Sequence, residues 1–220
     1  MEEKKIVMVY SCGKDSTLAL YKMIEKGYKV VCLMITTREE GSWFHGIPKG
    51  LMEDVEESLK IPIIYCKCSM ENYEEDFVKG LKVAKEKYEA NLCAFGDIDL
   101  EEHRAWDLEM CKRAGLDGIL PLWQESREKI TMEFIDLGFK AVIKKVNLNN
   151  MGSEFLGEVL SKEVIRKIEK TGSDICGENG EYHTFVFDGP IFSKKIKYKI
   201  VEKNKNNNYG NLIIEEKDKI

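Results

Sequence analysis

The chain has 220 residues, 43% of them hydrophobic and 33% charged, the balance of a soluble globular protein able to bury a core without disulfide or metal staples. A formal net charge of −5 argues against a protein held on nucleic acid by its overall field, so no stable nucleic-acid partner is expected. The longest apolar runs, such as 6–10 and 30–35, fall far short of the ~18–20 residues a bilayer span needs. With no signal-like apolar stretch behind the first five residues, the chain reads as cytoplasmic with no membrane partner. Seven cysteines without paired C-x-x-C motifs read as reduced and mostly structural; Cys66-Lys-Cys68 alone is a weak metal signal.

Lys5–Tyr10 reads as a buried strand, and Ser16–Lys26 as a helix closed by Gly27. Lys29–Ile35 is a second strand, Thr36–Gly46 a loop, and a short helix is expected near Leu51–Leu59. Ile61–Cys66 is a third strand. In Glu71–Tyr88, Tyr73, Phe77, Leu81, Ala84 and Tyr88 recur at helical spacing. Leu92–Gly96 is a fourth strand. Asp99, three residues before Glu102, predicts a capping box for a helix running to about Ala114. Gly118–Leu122 is a fifth strand. This alternation indicates βαβ units, and strands lacking in/out alternation indicate burial on both faces. The fold class is therefore α/β: a doubly wound parallel sheet with a smaller C-terminal α+β region. After Trp123 the sequence predicts a helix near Thr131–Leu137, a strand Lys140–Val146 and a helix in Ser161–Lys170. A Gly- and Glu-rich loop, Gly177–Pro190, follows, then a hairpin of Lys195–Val201 and Leu212–Glu215. The expected domains are 1–125 and 126–220.

The sharpest chemical feature is Ser11-Cys12-Gly13-Lys14-Asp15-Ser16, between the first strand and the first helix. A small-residue turn opening a helix gathers backbone N–H groups and the positive helix end at one point, which suits an anion. Ser11 and Ser16 add hydroxyl donors, Lys14 adds a cation, and Asp15 suits a Mg²⁺ ion on a polyphosphate. The loop is neither G-x-x-x-x-G-K-[ST] nor G-x-G-x-x-G. The second dense cluster, Glu178, Glu181, His183 and Asp188 around Gly177, Gly180 and Gly189, suits a loop binding a cation or an amine. Asp97 and Gly96, at the end of the fourth strand, and His45, on the loop after the second, lie where open α/β sheets bind ligands. Arg104 suits a carboxylate or phosphate, or a surface ion pair. Trp106 and Trp123 read as core.

The six-residue loop resembles the PP-loop, S-G-G-x-D-S, of the ATP pyrophosphatases, with Cys12 where that superfamily usually has Gly. Together with Phe95-Gly96-Asp97-Ile98, His103-Arg104, Pro121-Leu122-Trp123 and Gly177–Pro190, the chain resembles the diphthine–ammonia ligase family over almost its whole length. Asn179 and His183 stand at variable places of the C-terminal motif and look more like a sister branch associated with cobalamin salvage. The resemblance implies an AMP-forming ligase that activates a carboxylate with ATP for attack by ammonia, releasing pyrophosphate. The acid would be diphthine on translation elongation factor 2, or a corrinoid acid. It implies ATP contacts from Tyr10, Ser11, Cys12, Gly13, Ser16, Met34, Ile35 and Gly96, with Mg²⁺ on Asp15. Catalytic roles fall to Lys14, Asp15 and Glu181, and substrate contacts to His45, Asp97, Arg104, Glu178, Asn179 and His183. Rival readings are a tRNA-modifying enzyme of the same superfamily, which would need a basic surface, and a nucleotide-binding regulator without catalysis. A homodimer is left open.

Overall fold

The computed structural model of the chain describes residues 3–38 and 46–217. In chain order its elements are β1 (Lys5–Val9), α1 (Lys14–Glu25), β2 (Lys29–Arg38), α2 (Lys49–Leu59), β3 (Ile63–Cys68), α3 (Tyr73–Tyr88), β4 (Leu92–Ala94), α4 (Glu101–Ala114) and β5 (Asp117–Ile119). There follow α5 (Arg127–Asp136), β6 (Lys140–Asn147), a 3-10 turn at Ser153–Phe155, α6 (Lys162–Glu169), β7 (Tyr182–Asp188), β8 (Tyr198–Lys205) and β9 (Tyr209–Glu216). Two compact units emerge. One holds residues 3–11, 15–38, 46 and 60–124; the other holds 12–14, 47–59 and 125–217. The main break thus falls after Gln124, but three residues of the loop after β1, together with α2, group with the C-terminal part.

The first unit is built on a parallel five-stranded sheet in the order β3-β2-β1-β4-β5. Chain direction across the sheet reverses between β1 and β4. Right-handed crossovers then place α1 and α3–α4 on opposite faces, which is the doubly wound arrangement. One face is sealed by α3 and α4. Phe77, Leu81 and Ala84, at the helical spacing visible in the sequence, meet Val7, Cys32, Met34, Cys66 and Cys93, with Tyr73 and Tyr88 at the margin. Trp106 joins this core, with its ring centroid 4.8 Å from that of Phe77. Gly27, at φ +77°, closes α1, and Tyr28 N–H donates to the Met23 carbonyl, the bond pattern of a left-handed helix cap.

Two expectations are corrected here. β2 does not end at Ile35: Thr36, Thr37 and Arg38 continue it, paired with Cys66, Lys67 and Cys68, because β-branched threonines suit a half-buried strand. The start of α4 falls one residue later than a cap at Asp99 implies: its N-cap is Leu100, whose side chain caps nothing, and Glu101 and Glu102 lie in the first turn, where acids favour the helix dipole.

The second unit carries an antiparallel sheet in the order β7-β6-β9-β8. Its β8–β9 hairpin is longer than the sequence suggests. The turn shrinks to the Asn residues, where Asn206 Oδ1 accepts from the N–H groups of Asn208 and Tyr209 at 3.1 and 2.8 Å. Ser126 and Ser161 cap α5 and α6 through their hydroxyls. α2 is tied to the end of this unit: Ser193 N–H donates to the Ser58 carbonyl at 2.9 Å, satisfying one of the helix's terminal acceptors. The Gly- and Glu-rich segment read as a loop is a loop only as far as Glu181. From Tyr182 it is β7, whose run Thr-Phe-Val-Phe has the strand composition that the surrounding glycines masked. All seven cysteines are buried and unbridged. Among the described residues, no helix is long and apolar enough to cross a membrane.

Candidate functional site

In an open α/β sheet the loops leaving the strands diverge where strand order reverses, and a crevice opens at the carboxyl edge. Here those loops follow β1 and β4. In the first unit, Tyr10 is buried, its N–H donates to the Met34 carbonyl at 2.9 Å, and its hydroxyl meets that of Thr17 at 3.0 Å. Ser11 and Ser16 turn their hydroxyls to each other at 3.0 Å, and Ser11 N–H donates to Ser16 Oγ at 3.3 Å. Asp15 lies in the first turn of α1. Gly96 brings the end of β4 against that same turn. A Cβ there would lie 2.8 Å from the Ser16 nitrogen and 2.9 Å from its Cα, so the approach requires glycine. Met34 and Ile35, expected to hold the adenosine from a strand end, are buried mid-strand, and the Met34 carbonyl is engaged by Tyr10.

Asp97 follows Gly96, and its Oδ1 lies 3.0 Å from His103 Nδ1. Behind it on α4 is Asp107, one turn on from His103 and only 4% exposed. Burial, then the charge and hydrogen bond of Asp97, push the Asp107 carboxyl up to about 9. Arg104 makes an exposed ion pair with Glu101 at 3.3 Å, and its guanidinium lies 5.1 Å from the Trp123 ring centroid. Trp123 is therefore a platform for Arg104. Asp107 was not picked out by sequence reading; an acid on a helix face shared with Met110, Cys111 and Ala114 was the available signal.

The second unit holds the remaining loop residues. Cys12, which stands where the resembled loop has Gly, adopts φ +59°, a left-handed conformation that strains a non-glycine residue. Its carbonyl accepts from Val186 N–H at 2.8 Å, and its buried thiol lies 3.6 Å from Met52 Sδ. Burial raises the Cys12 thiol far above its ordinary value, so it is a packed hydrophobe and no thiolate. Lys14 N–H donates to Thr184 Oγ1 at 3.0 Å, while its ammonium, enclosed at 3% exposure, donates to Cys176 Sγ at 3.2 Å. Residues 12–14 of the loop therefore meet the C-terminal motif through β7, across more than 160 positions of sequence.

The turn before β7 is tightly braced. Asp174 accepts from the N–H groups of Cys176 and Glu178 and pairs with Arg127 at 2.6 Å. Gly177, at φ +74°, packs against Tyr182, where a Cβ would come within 2.9 Å of the ring. Glu181, expected to handle the amine, is turned inward at 4% exposure. It accepts from Asp174 N–H, Asn179 N–H and Asn179 Nδ2 at 3.3, 3.1 and 3.2 Å. Its carboxylate shapes this turn. Asn179 also accepts from Arg127 Nη1 at 3.1 Å, so it belongs to the same brace. Glu178 is half-buried and His183 is exposed on β7; Asp188 accepts from Gly189 N–H at 2.9 Å. His45 lies outside the described residues.

Comparison with known proteins adds the following. Residues 4–118 match the model of the diphthamide synthase N-terminal domain, and residues 126–220 that of the diphthamide synthase C-terminal domain. A human protein named diphthine–ammonia ligase is 28% identical over 219 residues, covering 87% of this chain and 82% of its own. Its zebrafish namesake is 24% identical over 218 residues, covering 87% and 85%. That of Schizosaccharomyces pombe is 25% identical over 215 residues, covering 87% of this chain and 36% of its own. A solved structure from Methanocaldococcus jannaschii, described as a "predicted subunit of tRNA methyltransferase", aligns with a TM-score of 0.47 at 15% identity, covering 88% of this chain and 100% of that one.

Proposed function

The chain belongs to the diphthamide synthase family, and from that premise we propose that it is an AMP-forming ligase that joins ammonia to a carboxylate. The observation that carries the reading is the loop 11–16. It leaves a parallel strand at the reversal point and opens a helix there, with Gly96 drawn against the helix's first turn. Backbone N–H groups and the positive end of α1 then face an anion.

In this reading the loop binds the pyrophosphate of ATP through Ser11, Gly13 and Ser16. The substrate carboxylate attacks the α-phosphorus, and pyrophosphate leaves. The resulting acyl-adenylate carries AMP as a good leaving group, so ammonia displaces it at neutral pH. The chain contributes position and charge stabilisation: donors fixed before reaction cost no reorganisation as charge develops on the leaving group. Asp15, a hard oxygen donor in the first turn of α1, fits Mg²⁺, which when bound would neutralise phosphate charge. Enclosed between Cys176 and the Tyr182 ring, Lys14 sets the course of residues 12–14 through Thr184. Glu181 acts by holding the turn before β7 in shape.

Family membership and the relatives' names favour diphthine on translation elongation factor 2 as the acid. Asn179 and the exposed His183 favour a second reading, a corrinoid acid. The test is release of pyrophosphate and AMP from ATP with ammonium and each acid in turn, with the amide identified by mass. Asp15→Asn should lower both ATP affinity and product formation. ATP binding without pyrophosphate release with any acid would replace the ligase reading by that of a nucleotide-binding regulator.

A further inference from the structure

The first unit contains a chain of three titratable side chains whose innermost member the proposed reaction does not use. Asp107 sits on α4 four residues after His103, so the two share a helix face, and Asp97 from the β4–α4 loop lies against both. Asp107 Oδ2 is fully buried and finds no hydrogen-bond partner among the described residues. The polar side chain beside it is another carboxyl, which when ionised only accepts. Two acceptors cannot satisfy each other; a proton carried by Asp107 makes one good bond between them. A leucine would pack better among Met110, Cys111 and Ala114, so the acid contributes something other than cohesion.

We propose that Asp107 is a positioning residue: it donates a hydrogen bond to the Asp97 carboxylate and through it fixes which nitrogen of His103 faces solvent. Asp97, held on its inner side, accepts from His103 Nδ1–H and leaves the Nε2 lone pair outward on a half-exposed ring. The groups facing Asp107 are Asp97 from the loop, Cys111 from its own helix and Cys93 from β4; Asp97 and Cys111 favour its protonated form. The position of this triad is functional, since Asp97 directly follows the glycine that touches the first turn of α1. Resting on the ligase reading, the outward Nε2 takes a proton from ammonium, giving ammonia and imidazolium; ammonia then forms the C–N bond to the acyl carbon, the C–O bond to AMP breaks with its electron pair going to the phosphate oxygen, and the added nitrogen loses one proton to solvent.

The experiment uses the full chain. Imidazole ¹⁵N shifts report which nitrogen of neutral His103 carries hydrogen. The wild type and Asp107→Asn, whose amide also donates, should both show the Nδ1–H form, whereas Asp107→Leu should show a mixture. In the wild type alone, that form should be lost as pH rises through about 9, where Asp107 ionises and repels Asp97; this measurement stands even if the leucine variant does not fold. Amide formation in Asp107→Leu should fall tenfold or more in kcat with KM for ATP unchanged, and Asp107→Asn should restore it. An unchanged His103 tautomer in Asp107→Leu, or in the wild type across pH 9, overturns the positioning role. If the tautomer shifts as described while no variant makes amide, the positioning role stands and the ligase reading falls.

Discussion

Replacing Gly96 by Ala tests whether the seam between β4 and the first turn of α1 is as tight as the geometry requires. The added methyl would lie 2.8 Å from the Ser16 nitrogen, 2.9 Å from its Cα and 3.1 Å from the Asp15 carbonyl carbon, whereas ordinary contact begins at 3.4 Å. The shortfall is about 0.6 Å at the closest pair, and every atom involved is main chain, so no side chain can swing away. β4 is held on its other side by pairing to β5, and Phe95 N–H bonds the Ile119 carbonyl at 3.0 Å. The strain must therefore move the start of α1, together with Ser16 and Asp15. Overpacking of this kind costs ~1–3 kcal/mol, and under the proposed function displacing the loop by a sizeable fraction of an ångström costs roughly 10–100-fold in kcat/KM. Urea unfolding and pyrophosphate release, measured on the same preparation, would show both losses. A variant within 0.5 kcal/mol of the wild type and within threefold of its activity would refute the argument.

Thr184→Val keeps the shape of β7 but removes the acceptor of Lys14 N–H; a loss of ~1–3 kcal/mol in urea unfolding and weaker ATP binding by calorimetry are expected. Glu181→Gln puts an NH₂ group against the N–H donors of Asp174 and Asn179, so the turn should loosen by ~1–3 kcal/mol, read as faster amide exchange at 174–180, with KM for ATP little changed. Asp107 supplies the pH prediction. Its folded value, raised to about 9, exceeds the unfolded one, so folding takes up a proton between roughly pH 4 and 9, and stability falls as pH rises through that window. Asp107→Asn lacks this loss. Its stability relative to the wild type should therefore grow with pH, by on the order of 1 kcal/mol per pH unit between pH 6 and 8, in urea titrations.

The strands and helices of the first unit were legible because burial imposes period and composition: Phe77, Leu81 and Ala84 announce α3, and Lys5–Val9 announces β1. The turn between β1 and α1 was legible for a similar reason, since few residue types suit a strand-to-helix turn that gathers backbone donors. What stayed hidden depends on neighbours distant in sequence. Nothing local shows that the Lys14 ammonium lies against Cys176, or that α2 is tied through Ser58 to Ser193. Glu181 misled for the opposite reason. Its acidic, Gly-rich surroundings look like a ligand loop, but the N–H donors that take up its charge come from its own turn. β7 was obscured by the same glycines, although Thr184, Phe185, Val186 and Phe187 carry the strand composition.

The link from Lys14 N–H to Thr184 Oγ1 spans 170 positions of sequence, and that from Val186 N–H to the Cys12 carbonyl spans nearly as many. Synthesis runs from residues 12–14 to β7, so on a ribosome the loop leaves the exit tunnel well before the strand that fixes it. Until β7 has emerged and paired, Cys12 lacks the Val186 bond to its carbonyl, and the nascent chain carries the loop's residues without that brace. Residues 1–125 expressed alone would be in the same condition. The shape of the loop is thus completed only after every strand of the parallel sheet has been made.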